Sequence, residues 1–204
     1  MPGTFDGSLV RVWSSDGDSL GKIGLATRYD DALFDLAMND GAVALSDDTL
    51  WYARLADGRI FGFDIRTPLA MRPRTIELPL YYEMIPPEHS DAAVQAEDET
   101  GFLGVDIQRH TLAFALDEGG NFLIVQSTGS GTVLAALSRD GGTYRAFDIG
   151  GMIRAVSVAD GVVYAIVSSR SPNSPLSPWR VFAYQSPFTP GTLAASCRRG
   201  RGSR

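Results

Sequence analysis

The chain has 204 residues, of which 44% are apolar and 21% charged, and its formal net charge is −6. This composition is that of a folded globular protein and argues against a disordered chain, a collagen and a coiled coil. The only cysteine, Cys197, excludes an intramolecular disulfide and a cysteine-based metal cluster. The 22 glycines and 11 prolines indicate many short elements joined by turns.

The charge is unevenly distributed. Four arginines lie in the last seven residues, and the rest of the chain has 14 basic against 24 acidic residues. An acidic body repels phosphate backbones, which disfavours nucleic acid as a partner. Residues 1–6 lack the basic and apolar regions of a secretion signal, and no apolar run is long enough to cross a bilayer. We therefore expect a soluble, cytoplasmic protein with no membrane partner.

Asp-Gly dipeptides punctuate the chain and are flanked by runs rich in β-branched and aromatic residues. Because type I′ turns need positive φ, Asp-Gly between apolar runs predicts a β-hairpin. The dipeptides begin at Asp6, Asp16, Asp40, Asp57, Asp140 and Asp160. The runs predicted to be strands include 9–13, 59–63, 122–125, 153–158 and 162–167.

The sequence also repeats itself. Residues 58–65 and 142–149 share Gly, Phe, Asp and Ile at an offset of 84 residues, which is two periods of 42, and Asp106 lies midway. Residues 180–184 parallel residues 59–63. A period of about 40 residues with these strands predicts a repeated meander of about four short strands, whose faces are buried by its neighbours.

The predicted fold is all-β: a propeller-like array of about four antiparallel four-stranded meander units. The units are expected to end near Ser14, Ile65, Ile107, Ile149 and Gln185. Because seven such units need about 300 residues, four imply a small ring, an incomplete ring or a ring completed by another chain. The first segment is a candidate to close the ring by adding a strand to the last unit.

The predicted domain organisation is one repeat domain over residues 1–185 with an acidic loop insertion at about 68–100. Residues 186–204 form an Arg-rich tail that we expect to be disordered.

Two segments resemble the WD-repeat propellers. Residues 57–64 have the pattern Asp-Gly-x-apolar-x-x-aromatic-Asp, and residues 6–13 have it with one extra residue and no final Asp. The chain has no Gly-His and no Trp-Asp dipeptide, so the hydrogen-bonded tetrad of that family is not carried over. The resemblance implies a divergent β-propeller that acts as a scaffold for protein–protein interaction.

The acidic insertion is the predicted docking element. Long loops on rigid repeats often carry function, and a surface of carboxylates attracts a basic protein partner. The candidate docking residues are Glu88, Asp91, Glu97, Asp98 and Glu99. They lack the regular spacing and the turn glycine of a Ca²⁺ loop, so we expect no metal.

No segment indicates a catalytic set. His89-Ser90-Asp91 has the residue types of a hydrolase triad, but consecutive loop residues rarely converge in that geometry. His110 begins a predicted strand and is interpreted as a structural or surface histidine, while residues 138–142 match the start of an Asp-box, a structural turn. The sequence therefore favours a non-catalytic scaffold without a cofactor, able to self-associate or to join a larger assembly. The alternative is a carbohydrate-binding or sialidase-like propeller.

Overall fold

A computed structural model gives the fold of most of the chain. The residues that it describes are 7–28, 32–66, 73–81, 96–97, 103–104, 109–168 and 179–188. These ranges contain fifteen strands and one helix of seven residues. The fold is therefore nearly all β, as predicted.

The described chain begins with a hairpin of β1 (Ser8–Trp13) and β2 (Ser19–Leu25). The helix α1 (Ala32–Met38) follows, and no sequence pattern had indicated it. The Asn39 side chain, just beyond α1, bonds the Asp35 carbonyl oxygen and both backbone groups of Thr27. These bonds hold the short helix against the end of the hairpin.

Three larger antiparallel sheets then follow in chain order, each a meander of sequential neighbours. The first sheet comprises β3 (Gly41–Ser46), β4 (Thr49–Arg54), β5 (Arg59–Asp64) and β6 (Arg74–Glu77). The second comprises β9 (Thr111–Leu116), β10 (Phe122–Ser127), β11 (Thr132–Leu137) and β12 (Tyr144–Phe147). The third comprises β13 (Met152–Ala159), β14 (Val162–Ser168) and β15 (Arg180–Gln185). A separate two-residue pairing joins β7 (Ala96–Glu97) to β8 (Leu103–Gly104).

The sheets stack in chain order with apolar layers between them. One layer joins the hairpin to the first sheet, a second joins the first sheet to the second, and a third joins the second sheet to the third. Because side chains alternate along a strand, β10 sends Phe122 and Ile124 into one layer and Leu123 and Val125 into the next. The first strands β3, β9 and β13 lie side by side. Meanders stacked around adjacent first strands form a propeller-like array, which confirms the predicted fold class.

Two details of the predicted organisation are wrong. The first and second sheets pack directly on each other, so no sheet ending near Ile107 stands between them. Within the described residues the third sheet has three strands. Strand β1 pairs with β2 in the described part of the chain and does not extend the last sheet.

The repeat itself is real, but residues 58–65 and 142–149, which were aligned as copies, do not form equivalent strands. Residues 59–63 and 180–184, which were also aligned as copies, both form third strands. Phe63 also lies in a third strand, whereas Phe147 lies in the fourth strand of its sheet and packs in a different layer. A shared Phe-Asp-Ile sequence fits either strand, because both precede a turn.

The predicted hairpin turns are largely confirmed. Asp160-Gly161 joins β13 to β14 with φ of 51° and 69°, as a type I′ turn requires. The Asp-Gly pairs at 16, 57 and 140 lie in the turns of other hairpins, each with its glycine at positive φ. Asp40-Gly41 instead lies at the start of β3, the first strand of its sheet, with Gly41 as the first residue of that strand.

The three sheets share one packing rule. It applies to the face of each sheet that points away from the preceding sheet in the chain. At one cross-strand position a large residue on the second strand faces a small residue on the third strand. The pairs are Trp51 with Gly62, Leu123 with Ala136 and Tyr164 with Ala183. The next pair on this face is apolar in every sheet: Ala53 with Ile60, Val125 with Leu134 and Ile166 with Val181.

We expect Gly62→Ala to lower the free energy of unfolding by about 1–3 kcal/mol, as overpacked cores do. A Cβ at Gly62 would lie 2.6 Å from the buried Trp51 ring. Gly21→Ala is the matched control, because a Cβ there meets nothing within 4 Å. Urea unfolding monitored by tryptophan fluorescence compares the two variants, and equal midpoints would refute the packing rule at this position.

Candidate interaction surface

The predicted docking residues lie almost entirely outside the described residues. Glu88, Asp91, Asp98 and Glu99 fall in the undescribed ranges, as does the His89-Ser90-Asp91 segment. Glu97 lies in β7, where only the backbone is described. The acidic docking element therefore stays a prediction.

One face of the third sheet, which no other described element covers, is a candidate surface that the sequence did not single out. We call it the outer face; it faces away from the second sheet. It is formed by Ala155, Ser157 and Ala159 on β13, Tyr164 and Ile166 on β14, and Val181 and Ala183 on β15. The opposite face of β14 packs Val163, Ala165 and Val167 against the second sheet.

The outer face has the composition of a covered face but is exposed. Trp51 and Leu123, which occupy the equivalent position in the first two sheets, are 2% and 0% exposed. Tyr164 is 40% exposed, and the neighbouring Val181 is 67% exposed. Contiguous apolar surface on a sheet face is a mark of an interaction site. Sequence reasoning identified β14 as a strand but had no signal for which of its faces lacks a neighbour.

The end of the outer face carries an aromatic–cation pair. The Arg154 guanidinium lies 5.5 Å from the centre of the Trp179 ring, next to a bulge in β13. Trp179 is 51% exposed. Trp, Tyr and Arg are the residue types that most often dominate binding energy at protein interfaces.

A buried ionic group supports the turn between β4 and β5. The Asp57 carboxylate accepts hydrogen bonds from Arg54 Nη1 at 2.9 Å and from Arg59 Nε at 2.7 Å. It also accepts the Arg59 backbone N–H, and the side chains of Arg54 and Asp57 are almost fully buried. Nearby, the Tyr52 hydroxyl donates to the Asn39 carbonyl oxygen. The charges neutralise one another inside the fold, so this group is structural.

His110 lies beside this group, immediately before β9, and is buried. Burial lowers the pKa of its imidazole, and the negative charge of Asp57 offsets that shift only in part. The ring is therefore neutral at neutral pH. A buried neutral histidine at the base of a strand agrees with the structural role predicted for it.

The Asp-box-like segment, residues 138–142, and the turn between β9 and β10 are both self-contained turns. Asp140 accepts hydrogen bonds from the Ser138 hydroxyl and the Gly142 N–H, and the Ser138 bond is the main cause that lowers the pKa of this carboxyl. Asp117 likewise accepts both the backbone and side-chain N–H groups of Asn121. Their polar groups are used within the turns, as expected for structural elements.

These turns border an open cleft of about 360 Å³ between the first and second sheets. The cleft is lined by Arg74, Asn121, Ser138, Arg139 and Asp140. Arg139 is already paired with Asp47 at 3.0 Å. Within the described residues, Arg74 makes no hydrogen bond, and its guanidinium lies 5.9 Å from the Trp51 ring centre. The cleft thus presents Arg74, which lies over the Trp51 ring and whose charge contributes to the lowered pKa of Asp140, beside groups that are engaged in their own turns.

No three His, Cys, Asp or Glu side chains in the described ranges come together as metal ligands. No helix in the same ranges has the length and apolarity that crossing a membrane requires.

Comparison with known proteins gives similarity in structure only. No protein-family model and no curated protein matches the chain. A quinonprotein alcohol dehydrogenase-like protein from Bacteroides thetaiotaomicron is 10% identical with a TM-score of 0.39, over 70% of this chain and 30% of its own. The β-propeller domain of Cps50 (Swd1) from Myceliophteria thermophila is 13% identical with a TM-score of 0.39, over 76% of this chain and 41% of its own. The chain thus spans less than half the length of either structure, and its fold is assigned here from its own sheet order and stacking.

Proposed function

We propose that this chain is a non-catalytic scaffold of the β-propeller type, divergent from the WD-repeat proteins that it resembles, and that it binds other protein chains. The observation that carries the proposal is the outer face of the third sheet. Its apolar pattern is the one that the first two sheets bury against a neighbour, and here it is open. A surface of this composition is stabilised when another polypeptide covers it.

The WD-repeat resemblance is supported by where its pattern lies. Residues 57–64 start in the turn between second and third strands and continue through β5, the third strand. Residues 8–13 of the other matching segment form β1 in the hairpin. Scaffold function is common on such folds but does not follow from the fold, so the argument depends on the surface.

The acidic segment is proposed as a second contact, for a basic partner. Its candidate residues are Glu88, Asp91, Glu97, Asp98 and Glu99. Clustered carboxylates accelerate encounter with a positively charged protein and make it sensitive to salt.

The glycan-binding alternative has less support. This alternative predicts unpaired arginines and carboxylates gathered at one opening of the propeller's central channel. In the described cleft, Asp140 is engaged by its own turn and Arg139 is paired with Asp47, which leaves Arg74 as the group available to a ligand.

Affinity capture with the immobilised full chain tests the scaffold function. Extract from the producing cells is passed over wild-type chain, over Ile166→Asp and over a chain with the five acidic candidates replaced by amides. Retained protein chains, untagged copies of this chain included, are quantified by mass spectrometry. We expect at least one protein to be retained by the wild type and reduced at least tenfold by one of the two variants.

Leu45→Asp is the matched control, because Leu45 is 61% exposed on β3, away from the outer face. It should capture the same proteins as the wild type. Retention of nothing above the bare resin, or equal retention by all four chains, would contradict the proposal.

A further inference from the structure

We propose that the outer face binds the outer face of a second copy of this chain, around a two-fold axis that runs across the strands. The inference rests on the proposed function, because it names the partner of the same surface. Three observations support it: the pattern of the face, its relief and the charges at its ends.

The first observation is continuity with the interfaces inside the molecule. At each sheet-to-sheet contact the large residue of the second strand, Trp51 or Leu123, is buried by the next sheet. Tyr164 and Ile166 occupy the equivalent positions, at 40% and 39% exposure, and no further sheet among the described residues covers them. The occupant that fits this design is therefore another sheet, packed about 10 Å away face to face.

The second observation is the relief of the face. Strand β13 contributes only small side chains, Ala155, Ser157 and Ala159, whereas β14 contributes the large Tyr164 and Ile166. Because the axis runs across the strands, each strand lies over the same strand of the other copy, and Tyr164, which is level with Ser157, meets Tyr164 of the other copy at the axis. Two aromatic rings that meet in this way stack with an offset.

The third observation is charge. Arg154 lies where β13 begins, and Asp160 lies in the turn where it ends, roughly 20 Å away along the strand. In the described part of the chain, Asp160 has no ion pair. A two-fold axis across the strands reverses their direction, so each Arg154 meets the Asp160 of the other copy, twice per dimer. The seven residues of the outer face carry no charge of their own.

The opposite end of the array is a poorer match. There the hairpin already covers part of the first sheet and carries Arg11 and Lys22 side by side. A head-to-tail contact would set this partly covered, charged face against the outer face, whereas two outer faces join two surfaces whose seven residues carry no charge.

Sedimentation equilibrium of the purified full chain, from about 5 to 500 µM, tests the proposal. We expect a reversible dimer whose dissociation constant rises at least tenfold in Ile166→Asp, and likewise in Val181→Lys, which alters a more exposed position. Leu45→Asp should leave the constant within twofold. Asp160→Asn, which keeps a residue that tolerates positive φ, should weaken the dimer severalfold and reduce its sensitivity to salt.

Cross-linking locates the axis. Ser157 lies midway between Arg154 and Asp160, so the Ser157 residues of the two copies should face each other. In a Cys197→Ser background, Ser157→Cys should form a disulfide-linked dimer on mild oxidation, and Ser15→Cys, exposed in the hairpin turn, should not.

A monomer at every concentration, a dimer that Ile166→Asp and Val181→Lys leave unchanged, or a dimer lost in Leu45→Asp would overturn the inference. A monomer that still captures another protein through this face would contradict the inference but not the proposed function. Capture of no protein in the affinity-capture experiment would contradict both proposals.

Discussion

Replacing Phe122 by alanine is expected to lower the free energy of unfolding by about 3–5 kcal/mol. Phe122 is fully buried in the layer between the first and second sheets. Its ring meets Trp51 edge-on, with centroids 4.8 Å apart, and stacks on Phe114 at 6.0 Å. Removing it takes away apolar burial, leaves a cavity and breaks both ring contacts.

Because domains of this size are stable by about 5–15 kcal/mol in total, the loss is a large part of the whole. Urea unfolding followed by circular dichroism measures it. Leu25→Ala is the control, since Leu25 is 72% exposed at the end of the hairpin. That change should stay within about 0.5 kcal/mol. If Phe122→Ala cost no more than Leu25→Ala, the first and second sheets would not share a core.

A comparable loss, about 3–5 kcal/mol, is expected from Asp57→Asn. The neutral amide can still accept the Arg59 backbone N–H, but it no longer compensates the charge of Arg54, which is buried. An uncompensated charge in the interior destabilises a fold far more than a lost surface pair does. Chemical denaturation of the purified variant gives the magnitude.

Two controls separate the charge effect from other causes. Asp47→Asn breaks an exposed pair with Arg139 and should cost less than about 1 kcal/mol. Arg54→Leu combined with Asp57→Asn removes the buried cation as well, so the double variant should be more stable than Asp57→Asn alone. A double variant less stable than the single one would show that packing of the Arg54 side chain, rather than its charge, dominates.

Local sequence signals predicted the strands and turns well because they act over a few residues. Val162–Val167 alternates in burial as a strand covered on one face, and the Asp160-Gly161 turn before it has the positive φ that the dipeptide predicted. The equivalence of residues 59–63 and 180–184 followed from the same local pattern. The match between Phe63 and Phe147 was misleading because the shared Phe-Asp-Ile sequence marks the end of a strand before a turn. Third and fourth strands both end in this way.

The candidate surface was beyond sequence reasoning for a different reason. Tyr164 and Ile166 have the same apolar character as Leu123 and Val125, so composition and periodicity do not distinguish the outer face from a buried one. The buried Arg54–Asp57 pair was missed likewise, since charged residues at the end of a strand ordinarily face solvent. Only the positions of the other sheets and loops decide that the Arg54–Asp57 pair is buried and that the outer face is exposed.

By itself, the sequence determined that this chain forms repeated antiparallel meanders, because alternation and Asp-Gly turns fix strands and hairpins through short-range sterics and backbone φ. The tertiary structure alone decided which meanders are neighbours, that the first and second sheets meet directly, and that no other described element covers the outer face of the third sheet. Those outcomes depend on contacts between residues far apart in the chain, which no local pattern encodes.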